Sequence, residues 1–120
     1  MSPRSVALLL EDMRERIGRI ETFLSGLERD AFLRDARTSD AVVRNLEVIG
    51  EAASRLPAEF RASCPDVPWG RIVGLRNRVV HAYFDVDLEL VWTIVETELP
   101  RLRERLDDLA AQADGPEPAD

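Results

Sequence analysis

The 120-residue sequence contains no lysine, one cysteine, one histidine and one tyrosine. A single cysteine cannot form an internal disulfide, and no secretion signal is recognisable, so we expect a reducing, cytoplasmic location. No apolar run approaches the roughly 20 residues that a membrane span requires, which predicts no membrane association. The sequence also has no zinc-ligand spacing, and we predict neither a metal nor a cofactor.

Charge is distributed unevenly along the chain. The net charge of −7 repels nucleic acid overall. All sixteen cationic side chains are arginine, which can make forked contacts with phosphate or carboxylate groups. Residues 67–84 contain Arg71, Arg76, Arg78 and His81 but no Asp or Glu. This segment is therefore locally basic within an acidic protein.

Apolar residues recur every three or four positions in four stretches, a pattern typical of amphipathic helices. The first stretch covers residues 6–27, with a break expected at Gly26. The second follows Thr38, Ser39 and Asp40, which we expect to cap it, and ends at Pro57. Residues 57–63 predict an extra short helix.

The third stretch begins at Pro68, and the fourth follows Asp87, a suitable N-cap. Pro100 lies inside the fourth stretch and should kink that helix or split it. Together the stretches predict an all-α protein, an antiparallel four-helix bundle with one extra short helix. We expect one domain over residues 1–112 and a disordered acidic tail over 113–120.

The segment GLRNRVVHAYFDVD, residues 74–87, contains the only histidine and the only tyrosine, His81 and Tyr83. Arg76 and Asn77 lie just before them. On a regular helix each residue turns about 100°, so Arg76 and His81 would diverge by roughly 140°. The two side chains can converge only if the helix distorts as it ends near Tyr83, or if a second copy of the chain supplies another motif.

These residue types suit chemistry on phosphate. Histidine moves protons near neutral pH, arginine stabilises charge on a phosphorane, and asparagine can orient a group in the site. RNA carries its own nucleophile, the 2′-hydroxyl, so its cleavage needs no metal. One histidine is few for separate acid and base roles, and a dimer would supply two. Alternatively, the histidine is only a favourable partner for a helix C-terminus.

The residues RNRVVHAY, from Arg76 to Tyr83, match the R-x-x-x-x-H-x-Y signature of HepT-like proteins in the HEPN superfamily. The stretches DAVVRNLEVIGEAASRLPAEF and PDVPWGRIVGLRNRVVHAYFDVDLELVWTIVETELPRL also resemble that family. The resemblance covers residues 5–110. It implies a HEPN-like helical fold and a homodimer in which two motifs face a shared cleft.

The resemblance further implies a metal-independent RNase toxin that acts on RNA. Its partner would be an antitoxin, a nucleotidyltransferase of the MNT type, that transfers AMP to the motif tyrosine, here Tyr83. Arg76, His81 and Asn77 would be catalytic. Arg71 and Arg78 are candidate RNA or phosphate contacts, and Glu51 is a candidate for tuning His81 or for pairing with an arginine; for each of these three, ordinary surface solvation is the alternative.

A second hypothesis is a non-catalytic helical module that binds a nucleotide or serves as the partner of a nucleotidyltransferase. The acidic net charge favours this hypothesis, since an RNase gains from positive potential. The acid-free segment around the motif favours the enzyme. A purely structural bundle would leave the clustering of Arg76, His81 and Tyr83 unexplained.

Overall fold

A computed structural model describes residues 4–81 and 85–113, and most of these residues are helical. The long helices are α1 (Val6–Leu24), α3 (Ala36–Ser54) and α8 (Leu99–Ala113). The shorter elements, in chain order, are α2 (Arg29–Arg34), α4 (Ala58–Ser63), α5 (Trp69–Val73), α6 (Leu75–Val79), β1 (Val80–His81), β2 (Asp85–Val86), α7 (Leu88–Thr93) and a π-helical turn (Ile94–Glu98). The predicted all-α class is confirmed. Of the predicted tail, residues 114–120 lie outside the described residues, and Ala113 belongs to α8.

Helices α1 and α3 form the largest contact between elements, and α8 packs on the other side of α1. The predicted apolar stripes are buried there, as the periodicity required. The fully buried side chains of this core include Leu10, Met13, Ile17, Ile20, Val42, Leu46, Ile49 and Leu106. Burial of each such side chain contributes about 1.5–3 kcal/mol. This core fixes α3, which carries one wall of the candidate site.

The start of α3 differs from the prediction. Its N-cap is Asp35, whose carboxylate accepts hydrogen bonds from the backbone N–H of Thr38 at 3.0 Å and from the Thr38 hydroxyl at 2.7 Å. These bonds hold the pKa of Asp35 below its usual value. The expected cap at residues 38–40 was wrong because Asp35 already satisfies the first free backbone donors of the helix.

The single helix predicted from Pro68 is two short helices, α5 and α6, separated at Gly74. Helix α3 approaches this break very closely at Gly50. A Cβ atom on Gly50 would lie 2.8 Å from the carbonyl oxygen of Ile72 and 3.2 Å from that of Val73. Glycine at position 50 therefore allows α3 to lie against the end of α5, just before the segment that contains Arg76.

The last helical stretch contains a π-helical turn just before Pro100, and the described residues 88–113 remain helical without the split that was one predicted outcome. In this turn the N–H of Leu99 donates to the carbonyl of Ile94, five residues earlier. Proline has no N–H to donate and its ring crowds the preceding turn, which a wider turn accommodates. The stretch begins, as predicted, with Asp87, whose side chain accepts from the N–H of Leu90 at 3.0 Å. None of the described helices is both long and apolar enough to cross a membrane.

Candidate active site

The motif runs from α6 into β1, which pairs with β2 in an antiparallel two-stranded ribbon. Helix α6 ends at Val79, and Val80 is extended, with φ −101° and ψ 115°. In the ribbon, Val80 pairs with Val86 and His81 pairs with Asp85. We predicted a distortion of the helix near Tyr83, and the helix in fact ends earlier, before His81. The divergence of roughly 140° expected for Arg76 and His81 on a regular helix therefore does not apply. The backbone of His81 is described, whereas Tyr83 lies outside the described residues.

Arg76 extends from α6 towards α3. Its side chain is 64% exposed, and its Nε atom lies 3.7 Å from Oε1 of Glu47. The other carboxylate oxygen of Glu47, Oε2, lies 3.5 Å from an Nη atom of Arg44. One carboxylate thus holds two exposed arginines at long distances. Asn77, the next residue of the motif, is also exposed.

Arg78 is held quite differently. Its two Nη atoms donate to the two carboxylate oxygens of Glu98 at 2.9 and 2.7 Å, and its side chain is only 21% exposed. Arg71 donates to the same carboxylate at 3.3 Å. Hydrogen bonding to Arg78 holds the pKa of Glu98 below its usual value, and the same bonds raise the pKa of Arg78.

Arg76 and Arg78 belong to different sides of α6. Two residues along a helix correspond to about 160° around its axis, which agrees with their partners on α3 and on the π-helical turn. Asn77 lies between them in the sequence and is exposed, so Arg76 faces α3 while Asn77 faces solvent. The structure places Arg71 and Arg78 together around Glu98, away from Arg76.

Glu51, a candidate for tuning His81 or for pairing with an arginine, is exposed and accepts a hydrogen bond from Arg55 at 3.0 Å. The carboxylate beside Arg76 is Glu47, one helical turn earlier on the same face of α3. Sequence reasoning missed both Glu47 and Glu98. The i, i+4 relation to Glu51 was a weak signal for Glu47, and no local signal identified Glu98.

A cleft of about 530 Å³ lies next to Glu47, between α3 and the second strand of the ribbon. Its polar lining includes Arg34, Arg44 and Asp85, and its apolar lining includes Val43 and Val86. Another cleft, of about 410 Å³, is lined by Arg71, Glu98 and apolar residues of α5 and α8. The first cleft is therefore lined by Glu47 and its partner Arg44, and the second by Glu98 and its partner Arg71.

Fold and site together define a small helical protein that presents exposed arginine just before a strand with histidine, an arrangement suited to anionic ligands. The chain belongs to the Ribonuclease HepT-like family, whose sequence profile matches residues 13–109. This membership confirms the resemblance drawn from the motif.

Individual relatives cover nearly the whole chain. The protein named "Probable ribonuclease HepT" from Thermococcus cleftensis is 38% identical over 100 residues, which cover 83% of this chain and 91% of that protein. The protein named "Putative RNase MJ0127" from Methanocaldococcus jannaschii is 35% identical over 115 residues, covering 96% and 95% of the two chains. No solved structure gives a significant match to the chain.

Proposed function

We propose that this protein is a metal-independent endoribonuclease. The observation that carries the proposal is the exposed Arg76, held only loosely by Glu47, on the short helix that leads directly into the strand of His81. Membership of the Ribonuclease HepT-like family supports the same activity. Phosphate chemistry requires a cation that can leave its protein partner for the substrate, and Arg76 meets that requirement.

In the proposed reaction, the 2′-oxygen of a ribose attacks the adjacent phosphorus and the bond to the 5′-oxygen breaks. A base accepts the proton of the 2′-hydroxyl, and an acid donates a proton to the departing 5′-oxygen. His81 performs one of these roles, Arg76 stabilises the charge that develops on the phosphorane, and Asn77 orients the site. The products are a 2′,3′-cyclic phosphate and a 5′-hydroxyl end.

A homodimer would supply the second histidine. The resemblance to the HepT-like family supports such a dimer, in which two motifs face a shared cleft. In such a dimer one His81 serves as base and the other as acid. The oligomeric state, measured by light scattering, tests this part of the proposal; a monomer that cleaves RNA at full rate would exclude the shared roles.

The proposed biological role is a cytoplasmic toxin controlled by an antitoxin, a nucleotidyltransferase of the MNT type. Transfer of AMP from ATP to the hydroxyl of Tyr83 releases pyrophosphate and leaves an anionic group two residues after His81. That group would block and neutralise a phosphate site. Intact mass of protein co-expressed with a nucleotidyltransferase of the MNT type, and of its Tyr83→Phe variant, tests this role.

The activity is tested by incubating purified protein with a labelled RNA in the presence of EDTA. We expect cleavage with 2′,3′-cyclic phosphate ends for the wild type and background cleavage for His81→Ala. Equal cleavage by the two proteins would reject the proposed ribonuclease activity. Harmless expression of the wild type without any partner would favour the non-catalytic module instead.

A further inference from the structure

The carboxylate of Glu47 lies between Arg44 and Arg76. Each of its oxygens faces a different arginine, at 3.5 Å for Arg44 and 3.7 Å for Arg76. The two guanidinium groups therefore flank one small anion, the carboxylate of Glu47. Phosphate groups of an RNA strand are anions of that kind, and arginine binds them through charge-assisted hydrogen bonds.

Both arginines are available to a ligand. The side chain of Arg44 is 69% exposed and that of Arg76 is 64% exposed. Exposed ion pairs of this length contribute little to stability, so exchange of the carboxylate for a phosphate costs little. Arg78 offers the opposite case, since it makes two short bonds to Glu98 and is mostly buried.

Arg44 also lines the 530 Å³ cleft, whose size is within the usual range for small-molecule sites. Arg34, a second exposed cation, lines the same cleft. Val43 and Val86 supply apolar surface, against which a nucleobase can pack. Asp85, on the same lining, pairs with His81 across the ribbon, so the cleft borders the strand that carries the motif histidine.

The lining suits one nucleotide better than a chain of phosphates. Arginines provide for the phosphate, while carboxylates such as Asp85 can accept hydrogen bonds from the amino groups of bases. We infer that this cleft binds the nucleotide next to the scissile phosphate of an RNA, with Arg44 on the phosphate of that nucleotide. The inference rests on the proposed ribonuclease function and adds a binding residue outside the motif.

The test compares Arg44→Ala with Arg37→Ala. Arg37 is an exposed arginine on the same helix that does not line the cleft, so both variants lose the same charge. On an oligonucleotide substrate we expect Arg44→Ala to raise KM about tenfold with kcat within about twofold of the wild type. Arg37→Ala should retain the wild-type KM, and Arg44→Lys should recover part of the loss.

A dinucleotide substrate, which contains only the scissile phosphate, completes the test. Its cleavage should be equal for wild type and Arg44→Ala, because the flanking phosphate is missing. An equal loss on both substrates would place Arg44 on the scissile phosphate and overturn the flanking site. Unchanged kinetics on the oligonucleotide would also overturn it.

If the proposed ribonuclease function is wrong, the wild type itself leaves RNA intact, which distinguishes that case from a failure of the flanking site alone. Binding still decides the inference in that case. In the His81→Ala background, the fluorescence anisotropy of a labelled RNA should show weaker binding with Arg44→Ala than with Arg37→Ala. Equal binding by these two variants would reject the cleft as an RNA site.

Discussion

Two carboxylates on either side of α6 each hold a pair of arginines, but they do so with different strength. Glu98 binds Arg78 through two bonds of 2.9 and 2.7 Å, with the guanidinium largely buried. Glu47 contacts Arg76 and Arg44 at 3.7 and 3.5 Å, with both side chains exposed. The same residue types therefore serve structure at one place and remain available for a ligand at the other.

The difference lies in the arginines rather than in the carboxylates. The side chains of Glu98 and Glu47 are similarly exposed, at 33% and 30%. Arg78 is only 21% exposed and makes two short bonds to Glu98, whereas Arg76 and Arg44 are 64% and 69% exposed, so water competes with Glu47 for both of them. Arg71, which is 60% exposed, contacts Glu98 at 3.3 Å, so Arg78 alone among these four arginines is tightly held.

The largest difference should appear in catalysis. We expect Arg76→Ala to lower the rate of RNA cleavage by about 100-fold or more, because it removes charge stabilisation from the transition state. Arg78→Ala, two residues away, should lower it by less than about fivefold once folding is verified. Initial rates on a labelled RNA measure both. Similar losses in the two variants would mean that both arginines contact the reacting phosphate.

The free energy of unfolding should depend more on Glu98 than on Glu47, the reverse of the order expected for catalysis. Glu98→Gln removes a charge that two arginines contact, and we expect it to lower the free energy of unfolding by about 1–2 kcal/mol. Glu47→Gln should change that free energy by less than about 0.5 kcal/mol. Urea denaturation followed by circular dichroism gives both values. A larger loss for Glu47→Gln would contradict the distinction between the two carboxylates.

The stabilisation by Glu98 should depend on pH in a defined direction. Its pKa is lowered in the folded protein, so the folded state binds the proton less readily than the unfolded state. The contribution is fully present above the unfolded pKa of about 4.3 and is lost as the pH falls through the folded pKa. The difference in stability between wild type and Glu98→Gln should therefore be largest near pH 7 and disappear in acid. A difference that persists in acid would assign the effect to packing.

The dependence of RNA binding on salt should separate the arginines more finely. Each phosphate contact to a single strand contributes about 0.7 to the slope of log affinity against log salt concentration. In the His81→Ala background, Arg76→Ala should reduce that slope by about 0.7, whereas Arg78→Ala should leave it unchanged. Anisotropy titrations at several salt concentrations measure the slopes. An unchanged slope for Arg76→Ala would exclude its contact with phosphate.

The smallest expected effect is a gain in RNA affinity. Glu47→Gln removes the carboxylate that faces Arg44 and Arg76, so RNA affinity should rise about two- to threefold at low salt, where charges are least screened. Glu51→Gln, one turn further along the same helix, is the matched control and should bind as the wild type does. Weaker binding by Glu47→Gln would show that the carboxylate helps to hold the arginines in place.

Much of the fold was predictable because apolar spacing reports which side of a helix is buried. The buried positions of α1 and α3 follow that spacing, and Asp87 and Gly26 mark helix ends through local chemistry. Strands of two residues are too short to produce an alternating pattern, so the ribbon at Val80–His81 was not predictable. A resemblance indicated the motif, but not the helix end before His81.

The partners of the arginines were not predictable from the sequence. Glu98 is 20 residues from Arg78 along the chain, and the contact exists only because the last helical stretch packs beside α6. Sequence periodicity shows which residues face the core, but not which charged residues of two elements meet at the surface. For that reason the sequence alone could not distinguish Arg71, Arg76 and Arg78 by the carboxylates that they contact.

The π-helical turn also sets the rotational phase of the C-terminal helix. Two buried residues, Ile94 at the start of the turn and Leu99 just after it, are five positions apart. The buried residues that follow keep steps of three and four: Leu99, Leu102, Leu106 and Leu109. One extra residue is accommodated there, which rotates everything downstream by about 100°. If one residue were removed from this turn, either Leu102 and Leu106 would leave the core or Glu98 would no longer face Arg78. The length of this turn therefore decides whether the buried leucines of α8 and the Glu98–Arg78 pair can occur together.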